Sequence, residues 1–477
     1  MSYEIRADYS QQFLLPPALE DWVPADHPAR FLRAFVEALD LPALGFATRV
    51  SVMGRPSYAS DLLLKVWLYG YLNKVRELRP LERACREHLS LVWLTGRQAP
   101  DHNTLWRFWA QHREPLRQVF RQVVQVAARA GLVEVVLHAV DGTKLAAAAS
   151  PETWKDRAAL ERLLAGLEDA VATVMAEMEA AGSAATESEA SYALPPQWAD
   201  PLRQREQVRE LLQQLEVEER KAIHPHEREA SVVKTRREGV VPGYNAQAVA
   251  DAGHGLIVAA AVSAEAGDAQ QLGPMLEAVE QTLGTVAATT VADGGYYHPT
   301  QLVAAAERGA AVVVNAGAQR APAPGTPGTE YHAARFTYDA ARDVCVCPQG
   351  QALPRVGERP AAPERGACTL YRCQVYRSCP VRRQCHAGKG GRRIERSVHA
   401  AVNAQLAQQW EPATRALLRR RAGIIEGVFG IIKRGLGFRR FTMPGLEGAA
   451  TQWALICTAF NLRKLYAHWR AGTFALG

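Results

Sequence analysis

The sequence predicts an alternating α/β core with two insertions, preceded by an all-helical N-terminal domain. Apolar residues recur at helical spacing through residues 1–125. From residue 130 onward, short runs rich in β-branched residues alternate with helical segments, a pattern typical of a sheet covered by helices. Two long interruptions, within residues 146–236 and at residues 319–409, predict a helical insertion and a cysteine-bearing insertion. The core would then consist of residues 130–318 and 410–470.

The composition favours an anionic partner. The chain has 477 residues, enough for two or more domains, and a net charge of +7, although many proteins reach this balance by chance. Eight basic residues surround Glu426, namely Arg415, Arg419, Arg420, Arg421, Lys433, Arg434, Arg439 and Arg440. A basic run is usually a solvated face, but one around a candidate metal ligand favours contact with phosphate.

Neither a membrane span nor a secretion signal is recognisable in the sequence. No apolar segment approaches the roughly 20 residues that cross a bilayer, and the N-terminus lacks a basic-then-apolar pattern. We therefore expect a cytoplasmic protein without a membrane partner. In that reducing compartment, the six cysteines from Cys345 to Cys385 favour metal binding over disulfides.

The N-terminal domain is predicted to be a bundle of short helices. Asp26-His27-Pro28 marks one helix start, Ser60 a second and Asp101 a third. Compact helices with tight connections suggest a helix-turn-helix-like unit that binds DNA, with Arg107 as a candidate contact. Helix spacing alone does not fix entry into a DNA groove, so a packing or dimerisation domain is the alternative.

The core begins with an apolar run, residues 135–140, that stops at Asp141-Gly142. Its length and β-branched content predict a strand buried on both faces, with Asp141 at its C-terminal end, where open α/β sheets bind ligands. A similar run, residues 288–292, stops at Asp293-Gly294. An isolated Asp-Gly is more typical of a simple turn, but three carboxylates in compatible settings weaken that interpretation.

The third carboxylate, Glu426, lies on a predicted helix. The apolar residues around it recur at helical spacing, and Lys433, seven residues later, would lie two turns along nearly the same face. Two strand-end aspartates and a helical glutamate are hard oxygen ligands suited to Mg²⁺ or Mn²⁺. Two such ions can promote phosphoryl transfer.

The remaining core elements are predicted in the order hairpin, helix, strand, helix, strand. Strands are predicted at 243–251, 256–263 and 311–315, core helices at 274–283 and 300–308, and the helical insertion at about 156–178 and 202–222. Asp251 competes with the other carboxylates for a catalytic position. It falls at the tip of the hairpin and is therefore interpreted as a turn residue.

The cysteine-bearing insertion opens with a linker rich in Ala, Pro and Gly at residues 321–328. Its candidate zinc ligands are Cys345, Cys347, Cys373, Cys379 and Cys385. Thiolates favour tetrahedral Zn²⁺. The spacings are not the close pairs of a zinc ribbon, so bound zinc and metal-free cysteines are both left open.

Six sequence blocks in a fixed order resemble a known family. They are Arg55-Pro56-Ser57-Tyr58, Pro100-Asp101-His102-Asn103-Thr104, Val140-Asp141-Gly142-Thr143, Gly243-Tyr244-Asn245-Ala246-Gln247, Ala292-Asp293-Gly294-Gly295-Tyr296 and Glu426-Gly427-Val428-Phe429-Gly430. By these blocks the chain resembles a DDE transposase of a bacterial insertion sequence, and most of all the insertion-sequence eleven-eighty-two branch. The resemblance extends from residues 13–17 to the C-terminal helices and implies an RNase H-like catalytic core.

The resemblance implies metal-dependent DNA cleavage at element ends and strand transfer into target DNA by one site. Asp141, Asp293 and Glu426 would be the catalytic residues and the Mg²⁺ ligands. Lys433 would contact DNA near the cleavage point. Members of the family often carry an arginine four residues before the glutamate, where this chain has Ala422. Arg421 or Arg419 would have to replace it.

The partners implied by the resemblance are the terminal inverted repeats, the target DNA and a second copy of the chain, since two ends are processed. Arg421, Arg439 and Arg440 join Lys433 as candidate DNA contacts because they lie in the basic stretch. Two alternatives are kept. One is an inactive or repurposed transposase that only binds specific DNA, and the other is a nuclease of the same fold that cuts without joining.

Overall fold

The computed structural model describes residues 18–46, 57–150, 153–182, 196–235, 237–314, 329–360, 367–386, 388, 390–397, 400 and 412–476. Three features of the sequence therefore lie outside the described residues: the block at 13–17, Arg55-Pro56 and the linker at 321–328.

Six α-helices precede the sheet in the part of the chain that the structure describes. They are α1 (Pro28–Glu37), α2 (Ser60–Leu72), α3 (Leu78–Glu87), α4 (Leu89–Leu94), α5 (His102–Gln111) and α6 (Arg113–Arg129). Two of the expected helix starts are capped by side chains: His27 accepts a hydrogen bond from the backbone N–H of Ala29, and Asp101 accepts one of 2.7 Å from Thr104. The helix predicted to begin near Ser60 does begin there.

The N-terminal helices share one continuous apolar core with the sheet. A C-terminal helix, α13 (Gly445–Arg470), packs against α6, α2 and α1 as well as against the sheet. Trp67 of α2 and Trp453 of α13 are both fully buried in this core. Position 125, the predicted end of the N-terminal domain, falls inside α6. The helices and the sheet therefore bury one another's apolar surface.

The central sheet has six strands in the order β4-β5-β1-β7-β8, with β6 also paired to β5. Their bounds are β1 (Leu137–Ala146), β4 (Ser231–Thr235), β5 (Gly239–Asp251), β6 (Ile257–Ser263), β7 (Thr289–Ala292) and β8 (Ala311–Val314). β1 is antiparallel to β5 and parallel to β7, and β7 is parallel to β8. Helices α9 (Leu272–Leu283) and α10 (Pro299–Glu307) connect the parallel strands.

Strand β1 does not end at Asp141, as the sequence predicted, but continues to Ala146. Its partner β5 pairs with it from His138 to Ala146, whereas β7 pairs only with Leu137, His138 and Ala139. Asp141 therefore lies in the middle of a long antiparallel strand, just past the end of its parallel neighbour. Val135 and Val136, predicted as buried strand residues, precede the strand and are exposed.

Two smaller units interrupt the core, one between β1 and β4 and the other between β8 and the helix that leads to Glu426. The first is the helical pair α7 (Arg157–Gly182) and α8 (Pro196–Val217), closed by the short strands β2 (Lys155–Asp156) and β3 (Ala222–Ile223). The second is a five-stranded antiparallel sheet that the sequence did not predict. It consists of β9 (Thr337–Asp339), β10 (Val344–Val346), β11 (Ala352–Arg359), β12 (Cys368–Arg372) and β13 (Arg393–Ser397), with α11 (Arg382–Cys385).

The helix that carries Glu426 is not a regular α-helix. Helix α12 (Pro412–Arg421) continues into a π-helical turn (Ala422–Glu426), one α-helical turn (Gly427–Gly430) and a second π-helical turn (Ile431–Gly435). We call residues 412–435 the α12 segment. It crosses β5, β1, β7 and β8. Among the described residues, no helix is both long and apolar enough to cross a membrane.

Candidate active site at the end of the central sheet

The pairing of β1 with β7 sets Asp141 beside Asp293. Leu137 pairs with Thr289 and Ala139 with Val291, an offset of 152 residues (289 − 137), and the same offset joins 141 to 293. Neighbouring parallel strands lie about 4.8 Å apart, and residues in register point to the same face. The two aspartates therefore occupy adjacent positions at the point where β7 ends and β1 continues.

Each aspartate is oriented by a local backbone hydrogen bond. Asp141 Oδ1 accepts from the N–H of Gly142 at 2.8 Å. Asp293 Oδ1 accepts from the N–H of Gly295 at 2.8 Å and so caps the short 3₁₀ turn that follows β7. Both carboxylates keep oxygens that can face a ligand at the end of the sheet.

Arg421 connects the first aspartate to the glutamate. Its Nη1 donates to Asp141 Oδ2 at 2.8 Å, and its Nη2 lies 3.8 Å from Glu426 Oε1. The side chains of Arg421 and Asp141 are only 16% and 17% exposed, whereas that of Glu426 is 62% exposed. A cation thus already lies between two of the three carboxylates.

The pKa of Asp141 is raised above its ordinary value, chiefly because burial disfavours the charged carboxylate. The guanidinium of Arg421 and the N–H of Gly142 oppose this shift, while the negative charge of Asp293 adds to it. The contribution of Asp293 reflects its closeness to Asp141. Two carboxylates held this close favour a bound cation.

The π-helical turn explains how Arg421 reaches Glu426. In an α-helix, residues four apart are neighbours on the surface, and a π turn adds one residue to that spacing. Arg421 lies five residues before Glu426, and Ala422–Glu426 is the π turn. Arg421 therefore lies beside Glu426, although it precedes the glutamate by five residues and not by the four that the family resemblance implied.

Lys433 lies over the same strand. Its ammonium donates a hydrogen bond to the hydroxyl of Thr143, two residues beyond Asp141 and on the same face of β1. On β5, the residues opposite Asp141 and Thr143 are Ala248 and Ala246, both fully buried. These small side chains leave room for the α12 segment to approach β1.

The other predicted DNA contacts are exposed. Arg439 donates from Nε to the carbonyl of Lys433 at 3.0 Å. Arg440 lies 3.2 Å from the carboxylate of Glu238 and also donates to the carbonyl of Ala149. Arg107 is exposed on α5. Arg439 and Arg440 thus follow Lys433 along the surface that adjoins β1.

A fourth carboxylate near the site was missed in the sequence. Asp268 lies in the turn between β6 and α9, and its Oδ1 accepts hydrogen bonds from Lys144, Asn245 and Gln247. Asn245 and Gln247 belong to one of the six family blocks, but no role had been assigned to them. The available signal was a pair of amide side chains two residues apart on a strand. Such side chains share one face of the sheet, and buried amides need a polar partner.

In the cysteine-bearing unit, one of the candidate zinc ligands lies apart from the others. Cys345 is 3% exposed and packs with Leu353, Tyr371 and Ile394 in the core of the second sheet. Cys347, Cys373, Cys379 and Cys385 lie near one another. Burial raises the pKa of the Cys373 and Cys385 thiols, and the neighbouring thiols of this group raise it further. Cys345 thus behaves as a core residue.

The donor chemistry at the end of the sheet suits a divalent cation, because Asp141 lies near Asp293 and shares Arg421 with Glu426, and carboxylate oxygens are hard ligands. Within the described part of the chain, no group of three or more His, Cys, Asp or Glu side chains is arranged to hold a metal ion. At the acidic site, the guanidinium of Arg421 lies where two of the carboxylates would otherwise converge.

Comparisons with known families agree with this chemistry. Residues 346–466, which include Glu426 and Lys433, match the family described as Transposase DDE domain. Residues 17–111 match the family described as Transposase domain (DUF772). No curated protein and no solved structure matches the chain. The DDE domain implies an RNase H-like α/β core, in line with the mixed sheet and the helices that precede it. The chain is therefore an insertion-sequence DDE transposase, an enzyme that acts on DNA as a polynucleotidyl transferase.

Proposed function

We propose that Asp141, Asp293 and Glu426 form the single site at which this transposase cleaves the ends of its element and joins them to target DNA. One observation carries the proposal: the register of β1 with β7, continued by two residues past its last pair, sets Asp141 beside Asp293, and Arg421 links Asp141 to Glu426. Residues from two strands and a distant helix thereby meet at one end of the sheet.

These carboxylates would hold Mg²⁺ or Mn²⁺. When bound, such ions make water or a 3′ hydroxyl a better nucleophile and stabilise the leaving oxygen of a phosphodiester. The protein's part is to hold three negative side chains together, which burial and mutual repulsion oppose. Arg421 relieves that repulsion through its ion pairs with Asp141 and Glu426. Its guanidinium would also be suited to contact a DNA phosphate.

Lys433, Arg439 and Arg440 would bind the DNA backbone beside the scissile phosphate. Lys433 is fixed to the catalytic strand through Thr143, and Arg439 is fixed to the backbone of Lys433. A cation held in this way can orient a phosphate with little additional loss of side-chain entropy. These three residues would therefore set the register of the DNA relative to Asp141.

The N-terminal helices, residues 1–125, would recognise the terminal inverted repeats, with Arg107 exposed for contact. Because these helices share a core with the sheet, recognition would be transmitted directly to the catalytic residues. Processing of two ends favours a homodimer. We also assign the chain to the insertion-sequence eleven-eighty-two branch on the basis of its six blocks.

The two units outside the six-stranded sheet would be insertions with structural roles. The α7–α8 pair has its own apolar core around Leu160 and Leu211. In the cysteine-bearing unit, Zn²⁺ would be held by Cys347, Cys373, Cys379 and Cys385. Soft thiolates suit zinc but not the Mg²⁺ chemistry of phosphoryl transfer, which supports a structural role.

The test is nicking of a labelled element end by the full chain in Mg²⁺ or Mn²⁺. Asp141→Asn, Asp293→Asn and Glu426→Gln should each abolish cleavage and joining together, with end binding retained. A double variant should be little worse than a single one, because the groups act as a unit. Asp251→Asn is the control, since Asp251 lies at the tip of the β5–β6 hairpin and its carboxylate accepts from the backbone N–H groups of His254 and Leu256.

Normal nicking by any of the three variants would exclude that residue from the site. Specific end binding by the wild-type chain without any metal-dependent nicking would instead favour a repurposed DNA-binding protein.

A further inference from the structure

We propose that Asp268 is a positioning residue of this active site: from the opposite face of the sheet, its carboxylate fixes the loop that carries Asp293. The inference rests on the proposed role of Asp293 in metal-dependent cleavage. It concerns a turn between β6 and α9 that contains no residue of the DDE set.

Asp268 is the centre of a convergent set of donors. Its Oδ1 accepts from Lys144 Nζ at 3.0 Å, from Asn245 Nδ2 at 2.7 Å and from Gln247 Nε2 at 2.8 Å. Three donors on one oxygen are best satisfied by an ionised carboxylate. The side chains of Lys144 and Asp268 are only 24% and 22% exposed, so water screens their ion pair only in part.

The donors come from the face of β1 that Asp141 does not use. Lys144 is paired with Asn245 and Gly142 with Gln247, and paired residues project to the same side of a sheet. Asp141 and Thr143 alternate with them and face Arg421 and Lys433. The sheet end thus has the candidate catalytic groups on one face and the Asp268 network on the other.

Gly142 allows the network to lie directly against β1. A Cβ at this position would be 2.7 Å from Asp268 Oδ1 and 2.8 Å from Asn245 Oδ1, and it would also clash with Gln247. Only a residue without a side chain fits there. The carboxylate of Asp268 is therefore in close contact with the backbone that directly follows Asp141.

Gln247 connects Asp268 to the loop after β7 through hydrogen bonds. Its Nε2 is engaged by Asp268, and its Oε1 accepts a hydrogen bond from the hydroxyl of Tyr296, which is fully buried. Tyr296 is the last residue of the turn that Asp293 caps. Both ends of the Gln247 amide are thus used, and its orientation links Asp268 to the turn that holds Asp293.

Direct contacts along the two loops reinforce this link. Asp268 Oδ2 and Asp293 Oδ1 both lie against Gly295, within 3.5 Å and 3.0 Å of the position its Cβ would take. Gln301, in the first turn of α10, donates from Nε2 to Gln270 Oε1 at 2.9 Å and accepts at Oε1 from the N–H of Gly273 at 2.9 Å. The turn that carries Asp268 and the start of α9 are therefore hydrogen-bonded to α10, the helix that follows the loop of Asp293.

The expected consequence of losing Asp268 is a displaced Asp293, not weaker DNA binding. Residues that orient metal ligands through hydrogen bonds typically change metal affinity or activity by about 10- to 100-fold when they are removed. For the indirect route through Gln247 and Tyr296, we expect an increase of about tenfold in the Mn²⁺ concentration that gives half-maximal nicking.

The experiment measures nicking of a saturating element end by the full chain as a function of Mn²⁺ concentration, together with direct Mn²⁺ binding by electron paramagnetic resonance. Asp268→Ala should shift both midpoints about tenfold while the Kd for end DNA stays unchanged. Asp268→Asn keeps an oxygen that can accept two of the three hydrogen bonds, so it should shift the two Mn²⁺ midpoints less. Lys144→Met should add little to Asp268→Ala, because the two residues form one pair.

Asp251→Asn is the matched control. Like Asp268, Asp251 is an aspartate whose carboxylate accepts hydrogen bonds beside β5. Its partners, however, are the backbone N–H groups of His254 and Leu256 at the far end of the strand. It should lower the thermal unfolding midpoint without moving the Mn²⁺ midpoints.

Mn²⁺ midpoints that are equal in wild type, Asp268→Asn and Asp268→Ala would overturn the inference, even if the variants are less stable. If Asp268→Ala does not fold, Asp268→Asn decides the question alone. A wild-type chain that never nicks would reject the proposed catalytic site instead, so the two failures are distinguishable.

Discussion

Replacement of Arg421 by glutamine should make the transposase bind Mn²⁺ more tightly while it loses catalytic activity. Arg421 neutralises Asp141 through a 2.8 Å hydrogen bond and approaches Glu426 at 3.8 Å. A divalent cation that binds these carboxylates must displace the guanidinium. Arg421→Gln removes this competition, and it also removes a side chain available to contact phosphate.

The magnitude follows from the geometry of the pair. A hydrogen bond between charged groups contributes about 1.5–3 kcal/mol, and both side chains here are largely buried, with exposures of 16% and 17%. About 2 kcal/mol of competition corresponds to about a 30-fold increase in Mn²⁺ affinity, as an upper limit. Without divalent metal, the variant should be less stable than wild type, because Asp141 keeps a buried charge without its partner.

The assay is Mn²⁺ titration by calorimetry, accompanied by the thermal unfolding midpoint with and without Mn²⁺. Arg420→Gln is the matched control, because Arg420 is adjacent, exposed and carries the same charge. The difference in unfolding midpoint between Arg421→Gln and wild type should shrink when Mn²⁺ is added. An Arg421→Gln protein that binds Mn²⁺ no more tightly than Arg420→Gln would refute the competition between the arginine and the metal.

Two further predictions concern packing and zinc. Gly142→Ala should destabilise the fold by about 1–3 kcal/mol in denaturant unfolding and impair nicking, since its Cβ would lie 2.7 Å from Asp268 Oδ1. The Cβ of Gly253→Ala would meet a flexible exposed carboxylate, so this variant should change stability by less than about 0.5 kcal/mol. Equal effects of Gly142→Ala and Gly253→Ala would argue against the close approach of Asp268 to Gly142. Protein purified without chelator should contain about one zinc per chain. Cys347→Ser should abolish zinc binding. Cys345→Ala should retain the zinc, although loss of this core side chain lowers stability. Zinc-free wild-type protein would contradict this assignment.

Some contacts of the site depend on secondary-structure irregularities that a sequence pattern does not reveal. The sequence predicted an α-helix around Glu426, and the family resemblance implied an arginine at position 422, where this chain has Ala422. The π turn at Ala422–Glu426 instead brings Arg421 to within 3.8 Å of Glu426. Apolar periodicity averages over several turns and does not detect one added residue in a helical turn.

The extent of β1 also required the tertiary structure. The run that ends at Asp141 contains strong β-formers, whereas Gly142 and Lys144, which follow it, are weaker ones. They remain in the strand because β5 supplies hydrogen-bonding partners along its whole length. Strand length is a property of the pair, so the sequence of one strand could not define it.

The sequence by itself determined the family, the order of the core elements and the acidic residues proposed for catalysis. Apolar periodicity is local, and short blocks such as Val140-Asp141-Gly142-Thr143 are contiguous, so both can be recognised without coordinates. The matches to two transposase families confirm the resemblance drawn from those blocks.

The tertiary structure alone decided which polar groups meet. Asp268 and its partners come from separate segments and carry no shared pattern in the sequence. Likewise, Cys345 and Cys347 are two residues apart, a spacing that would place both on one face of a strand, yet only Cys345 is fully buried, because β10 ends at Val346 and Cys347 lies beyond it. Contacts between distant segments depend on strand register and helix placement, which the packing of the whole chain sets.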